Sequence, residues 1–293
     1  MSVLPSGEQW TIQGGGYEAT VVSVGGGLRG LTYDGRPVLL GYGEDEPAHA
    51  GIGQHLFPWP NRITDGQYTF EGVDQQLYLT EPARQNAIHG LTRWANWSLV
   101  DSDPAKVTVG HRLHGQPGYP HQLELSLTYE LSDGLTVTAS ATNVGSSAAP
   151  YGYGTHPYLS VGRKIDECVL EFSAAEWLEV TAERLTPIGL APVADSPFDF
   201  AIGRVLGSLD IDNAFTGLGG GSWSVTLSDP DTGARSVLTS DTPWMQLYTG
   251  GAIGRTALAV EPMTCPPDSF RTGQDLVVLK PGESHSTTFR VSV

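Results

Sequence analysis

Apolar and polar positions alternate most plainly between Leu123 and Thr142. Leu123, Leu125, Leu127, Tyr129 and Leu131 interleave with Glu124, Ser126, Thr128 and Glu130, and after Ser132-Asp133-Gly134 the pattern resumes with Leu135, Val137, Ala139 and Ala141. A period of two sends successive side chains to opposite faces of an extended strand, so this stretch predicts a hairpin with one buried and one wet face. Phe289, Val291 and Val293 repeat the pattern after the turn residues Pro281-Gly282. Tyr17 to Leu40 reads as strands broken by Gly25-Gly26-Gly27 and by Asp34-Gly35, a strong hairpin signal. A second such unit spans Asn61 to Leu79, with turns at Asp65-Gly66 and Glu71-Gly72. Helical periodicity is almost absent, and only Ala174 to Arg184 is expected to make a short helix.

A length of 293 residues leaves room for two domains, but no linker, repeat or composition shift divides the chain. Many strands punctuated by 37 Gly and 20 Pro predict one all-β domain over residues 1–293, a large antiparallel sandwich whose loops or concave face carry the site. Charge narrows the partners. With 16 basic against 32 acidic residues, the net charge of −16 opposes nucleic acid and anionic membranes and favours a neutral or cationic small molecule. The N-terminal residues lack a basic and apolar signal pattern, no run of about 18 apolar residues occurs, and a cytoplasmic protein is expected. Cys168 and Cys265 form no paired motif and are expected to be free thiols.

The stretch from Thr256 to Pro267 holds the first candidate for chemistry. Thr256 to Val260 is an apolar run of strand length, so Glu261 is expected at a strand end, with Pro262 stopping the ladder. A desolvated carboxyl there has its pKa raised toward the range useful for proton transfer, although a solvated strand-end glutamate would read the same way locally. In Tyr151-Gly-Tyr-Gly-Thr-His-Pro-Tyr158, His156 sits among small and aromatic residues, where neighbours can tune it as an acid or base. Arg62 follows Pro58-Trp59-Pro60-Asn61. Asn86-Ala87-Ile88-His89-Gly90 comes later, with Arg93, Trp94 and Trp97 close behind. Polar groups beside aromatic rings suit a sugar, whose CH faces stack while its hydroxyls need fixed donors and acceptors. Asp212-Asn213-Ala214-Phe215 could bind hydroxyls or close a turn.

Other chemistries fit less well. Gly25-Gly26-Gly27 is followed by neither a helical pattern nor Gly-Lys-Ser/Thr, which disfavours a phosphate loop, and there is no Gly-x-Ser-x-Gly. His111 and His114 cannot share one face of a strand, and Asp229-Pro-Asp231-Thr-Gly233 lacks the downstream glutamate of a calcium loop. No metal site is expected.

Asn61-Arg62, His89-Gly90, Thr155-His156-Pro157-Tyr158, Asp212, Gln246-Leu-Tyr-Thr249 and Glu261-Pro262, in this order, resemble the motifs of the aldose 1-epimerase (galactose mutarotase) family. The likeness covers nearly the whole chain. It implies a β-supersandwich with an open sugar cleft, no cofactor, and interconversion of the α and β anomers of a free aldose by a monomer or weak homodimer. By motif, Glu261 would take the proton from the C1 hydroxyl and His156 would protonate the ring oxygen, while Arg62, His89, Asp212, Gln246, Asn61 and Tyr158 would hold the sugar. Two departures leave the preferred sugar open: Leu91-Thr92-Arg93-Trp94 follows His89-Gly90 in place of a second glycine, and Asn213 follows Asp212 where histidine is common. Arg93, expected to pair with an acid or a sugar hydroxyl at the rim, raises a hexose-6-phosphate 1-epimerase as an alternative. The retained Asn61-Arg62 pair and the scarcity of basic residues oppose it. A carbohydrate-binding module without catalysis is opposed by the presence of both Glu261 and His156.

Overall fold

The computed structural model describes residues 3–293 and is built almost entirely of antiparallel strands. In the larger, twelve-stranded sheet, Gln9–Gly14, Tyr17–Val22, Leu28–Tyr33 and Arg36–Leu39 run in sequence order to one edge of the centre. The centre is made by Tyr158–Leu159, Leu258–Met263, Trp244–Tyr248 and Asp212–Thr216, and the far edge by Glu176–Val180 and Pro187–Pro192. Two short strands, His55–Leu56 and Gly154–Thr155, join this sheet at Met263. A second sheet of nine strands contains the alternating hairpin Leu123–Leu131 and Leu135–Asn143, followed by the C-terminal strand Ser284–Ser292. One apolar cluster draws on both sheets, with Ala19, Val21 and Leu31 from the first and Val109, Leu127 and Val137 from the second.

The turns fall where the glycine signals put them. Asp34-Gly35 closes a two-residue hairpin between Tyr33 and Arg36, and both residues have positive φ, 46° and 78°, as a type I′ turn demands. Glu71-Gly72 does the same between Phe70 and Val73. Asp229 closes the hairpin between Trp223–Ser228 and Arg235–Ser240, and the Arg163 guanidinium sits on both Asp229 and Asp231, at 2.6 and 2.8 Å, where a cation would have to bind. Both cysteines are buried and free.

Three sequence expectations need correction. Glu176–Val180 is a strand and not a short helix. Trp177 and Val180 favour extended backbone, and the segment pairs with Pro187–Pro192 on one side and Asp212–Thr216 on the other, which outweighs any local helical tendency. Asp212–Phe215 closes no turn but opens a strand of the central sheet. The strand carrying Glu261 does not stop at Pro262 either; it runs from Leu258 to Met263, with Glu261 opposite Gln246 and Pro262 opposite Met245. The reason lies on its other side. Val260 N–H donates to Pro157 O, and since N–H groups alternate sides along a strand, the nitrogen of Pro262 faces the same way. By the register of Gly154 with Met263 it faces Thr155, at the edge of the interruption between Gly154–Thr155 and Tyr158–Leu159.

Candidate active site

That break is where His156 leaves the sheet. Its backbone is held on both polar atoms: N donates to Gln54 O at 3.0 Å, and O accepts from Gly53 N at 3.0 Å. The imidazole stacks on the Tyr158 ring at 4.9 Å and 22°, and the edge of His89 meets it at 5.5 Å. Glu261 comes from the adjoining strand, all six of whose residues are buried, and its Oε1 lies 3.4 Å from His156 Nε2. Hence an acid and a base that are 105 positions apart in sequence meet at the floor of a cleft of about 350 Å³.

The cleft wall gathers Asn61, Arg62, His89 and Asp212 around this pair. Arg62–Thr64 pairs with Asn86–Ile88, and the backbone closes back on itself where His89 N donates to Asn61 O at 2.8 Å. Asn61 and His89 both have positive φ, 50° and 63°, so each stands at a bend that turns its side chain out of the ladder. Arg62 is clamped by Glu81 through two bonds, Nε to Oε2 at 2.8 Å and a terminal nitrogen to Oε1 at 3.1 Å, with Asp212 a further 4.0 Å away. Burial alone would lower the Arg62 pKa, but the Glu81 bonds and the Asp212 charge outweigh it, and Arg62 in turn pulls Glu81 below its usual range.

Burial dominates the catalytic candidates. It pushes Glu261 well above the usual carboxyl range, reinforced by Asp212 and opposed by Arg62. It pulls His156 down to about 3, with the positive charges of Arg93 and Arg62 acting in the same direction. His89 is lowered likewise, by burial first and then by Arg93. Glu261 Oε2 and His89 Nδ1, on residues that line the cleft, are buried and lack a hydrogen-bond partner among the described residues, and His156 Nδ1 has none outside its own residue. Buried polar atoms are normally satisfied, so this cluster of exceptions marks a place that a ligand rich in hydroxyls would complete.

Two sequence-predicted sugar contacts are placed elsewhere. Tyr158 is fully buried behind His156 and gives its hydroxyl to Ala50 O at 2.7 Å, so it is not on the cleft wall. Gln246 is also behind the wall; its amide donates to Asp212 Oδ1 at 2.7 Å and orients that carboxylate. The register puts both on the same face as His156 and Glu261, and neighbouring side chains cover them there. Arg93 also departs from expectation. No carboxylate among the described residues pairs with it, and its guanidinium meets Gln54 Oε1 at 3.3 Å and lies 6.0 Å from the Trp94 ring centre. Together with His49, Gln54 and Trp94 it lines a second compartment of about 320 Å³ that shares Ala50, His89 and His156 with the first.

Sequence reasoning missed Glu81 as the partner of Arg62; the same carboxylate also bonds Arg84. It also missed Gln54, Gly51 and His55. His55 Nδ1 meets the Tyr153 hydroxyl at 2.8 Å and Nε2 meets the Tyr129 hydroxyl at 2.7 Å, while Tyr129 donates to Gly26 O. Tyr129 therefore accepts from Nε2–H, and Nδ1 accepts from Tyr153, a fully satisfied chain spanning both sheets. A roomier groove of about 540 Å³ beside Gln67–Phe70 is lined by Gln67 bonded to Gln76, Thr69 bonded to Asp74, and Arg271, which pairs with Asp268. It contains no acid–base pair.

The aldose 1-epimerase family model matches residues 8–292. The chain belongs to the aldose 1-epimerase family. Among curated proteins it is 35% identical over 289 residues to the uncharacterized protein YihR of Escherichia coli (strain K12), covering 98% of this chain and 93% of the relative. It is 23% identical to the aldose 1-epimerase of the same organism, over 86% of this chain and 83% of that one. Among solved structures, the GalM/aldose epimerase homologue from C. elegans superposes with a TM-score of 0.88 at 22% identity, covering 97% of this chain and 98% of its own, and shares the fold. No described helix is long and apolar enough to cross a membrane.

Proposed function

We propose that this member of the family interconverts the α and β anomers of a free aldohexose, with Glu261 and His156 as its proton-transfer pair. The observation that carries this reading is the 3.4 Å approach of Glu261 Oε1 to His156 Nε2 at the floor of the cleft. Anomerisation needs one proton removed from the C1 hydroxyl and one delivered to the ring oxygen, two atoms bonded to the same carbon, so an acid and a base this close can reach both. Glu261 as carboxylate takes the C1 hydroxyl proton, the C1 to ring-oxygen bond breaks as the C1 carbonyl forms, and His156 as imidazolium protonates the departing oxygen. Rotation about C1–C2 presents the other carbonyl face, and closure returns both protons. The pair thus carries one proton throughout. In the empty cleft burial favours its uncharged arrangement, protonated Glu261 beside neutral His156, and transfer across the gap gives the charged arrangement that receives the closed sugar. Arg62, His89, Asn61 and Asp212 orient the hydroxyls and ring oxygen.

Polarimetry with freshly dissolved α-glucose and α-galactose tests the proposal. Glu261→Gln and His156→Asn should each fold and each lose about 100-fold or more in turnover, the usual scale for a positioned acid or base. Near-normal mutarotation in either folded variant removes that residue from the mechanism.

A second reading, a sugar bearing an anionic group such as a hexose 6-phosphate, draws support from Arg93, whose charge meets no carboxylate among the described residues. Charge counting still favours the unphosphorylated sugar. A phosphate brings nearly two negative charges, whereas Arg62 and Arg84 are both committed to Glu81 and only one guanidinium is left to receive them.

A further inference from the structure

A histidine that moves protons usually has its second ring nitrogen bonded to a group that fixes the ring's orientation. His156 has no such partner from elsewhere in the described fold; its Nδ1 meets only the backbone of its own residue. Something else must hold the plane of the imidazole, because Nε2 has to point at both Glu261 and the ring oxygen of a bound sugar. Two contacts are available. The first is the Tyr158 ring, stacked at 4.9 Å. The second is Gly51, which lies so close that a Cβ there would stand 2.8 Å from His156 Cδ2 and 3.1 Å from Nε2. Neither contact is independent of the other, since the Tyr158 hydroxyl donates to Ala50 O, the carbonyl immediately before Gly51. Ala50 has a φ of 50°, which a non-glycine residue holds only when neighbours fix it, and Gly51 follows at 79°.

We infer that Tyr158 is the positioning residue of His156, acting in two separable ways: its ring orients the imidazole by stacking, and its hydroxyl pins the Ala50–Gly51 rim against that imidazole. The inference rests on the proposed role of His156 in proton transfer. It reassigns a residue whose motif implied sugar contact. The hydroxyl governs the rim, and Ala50 lines both compartments of the cleft, so its loss acts on sugar binding. The ring governs the aim of Nε2, so its loss acts on the proton-transfer step, where a misplacement of about 1 Å can cost 100-fold.

The experiment compares Tyr158→Phe, Tyr158→Leu and Gly51→Ala in the full chain, by polarimetry and by NMR of protein labelled with ¹³C and ¹⁵N at histidine. Tyr158→Phe should raise KM by about 3-fold or more with kcat within about 2-fold of the parent. Tyr158→Leu should lower kcat by at least about 10-fold, so that phenylalanine restores what leucine loses. Gly51→Ala should lower kcat in a folded protein and test the second contact even if Tyr158→Leu does not fold. The upfield ring-current shift of the His156 carbon-bound protons should persist in Tyr158→Phe and vanish in Tyr158→Leu. Equal kcat losses in Phe and Leu, a Leu variant with kcat within about 2-fold of the parent, or an unchanged ring-current shift in Leu overturns the inference. Should the parent protein fail to accelerate mutarotation, the proposed function falls, and the ring-current arm still decides whether Tyr158 stacks on the imidazole.

Discussion

Acidification should unfold this protein through its buried histidines, and His55 allows the effect to be counted. Held between two tyrosine hydroxyls in the core, His55 is pulled by burial to about 3, against about 6.5 for an unfolded chain. A histidine with a depressed folded pKa resists protonation in the native state while the unfolded chain takes the proton freely. Its contribution to stability is therefore complete above pH 6.5 and is lost as the pH falls from 6.5 toward 3. Each unit is worth about 1.4 kcal/mol, so a drop to pH 4.5 removes roughly 2–3 kcal/mol through His55 alone, out of a total of about 5–15 kcal/mol for a typical domain. His156 and His89 are shifted the same way and add to the loss. Glutamine at position 55 offers a donor and an acceptor but does not titrate. The assay is urea unfolding followed by tryptophan fluorescence at pH 7 and pH 4.5. His55→Gln should lose roughly 2–3 kcal/mol less between the two pH values than the parent, whatever its stability at pH 7. Parallel losses in the two proteins would show that His55 is not the titrating group and refute the reasoning.

Because burial moves His156 down and Glu261 up, the pair keeps its single proton over a wider range than free side chains would; kcat should be flat through neutral pH, and an inflection near 6.5 would contradict this. Glu261→Gln should also be more resistant to urea than the parent at pH 7 but not at pH 4, since a carboxyl with a raised folded pKa gives up stability as the pH rises above its unfolded value; equal midpoints at pH 7 would argue against a desolvated carboxyl. Glu81→Gln takes the counter-charge from a buried guanidinium and should cost roughly 1–3 kcal/mol in urea and raise KM, whereas unchanged values of both would mean that Glu81 does not hold Arg62. In matched salt, kcat/KM should be higher for glucose than for glucose 6-phosphate; a tenfold or greater advantage for the phosphate, erased by Arg93→Ala, would replace the neutral-sugar reading.

The sheet was legible in the sequence wherever packing agrees with local pattern. Leu123 to Thr142 alternates because one face of that hairpin is core and the other is wet, and Asp34-Gly35 marks its turn because few other residue pairs adopt its backbone. Glu176–Val180 misled because its partners, Pro187–Pro192 and Asp212–Thr216, lie outside any local window. The site divides in the same way. Glu261 and His156 stand out by their settings, yet nothing between positions 62 and 81 shows that Arg62 and Glu81 meet, nor that Tyr158 turns behind His156 and not toward the sugar. Motifs record which residues recur together, while which of several side chains on one sheet face reaches the cleft is decided by the partners that cover or hold the others.

The register beside Pro262 has a consequence for anyone who would move this chemistry to another scaffold. With Gly154 opposite Met263 and Tyr158 opposite Ala259, His156 falls directly across from Glu261, and the two side chains are neighbours on one face of the sheet. Pro157 and Pro262 remove two backbone donors from this stretch without shifting that register. The portable unit is therefore a directly opposed acid and base on adjacent antiparallel strands, and a graft that slips one strand by a single residue would send the two groups to opposite faces.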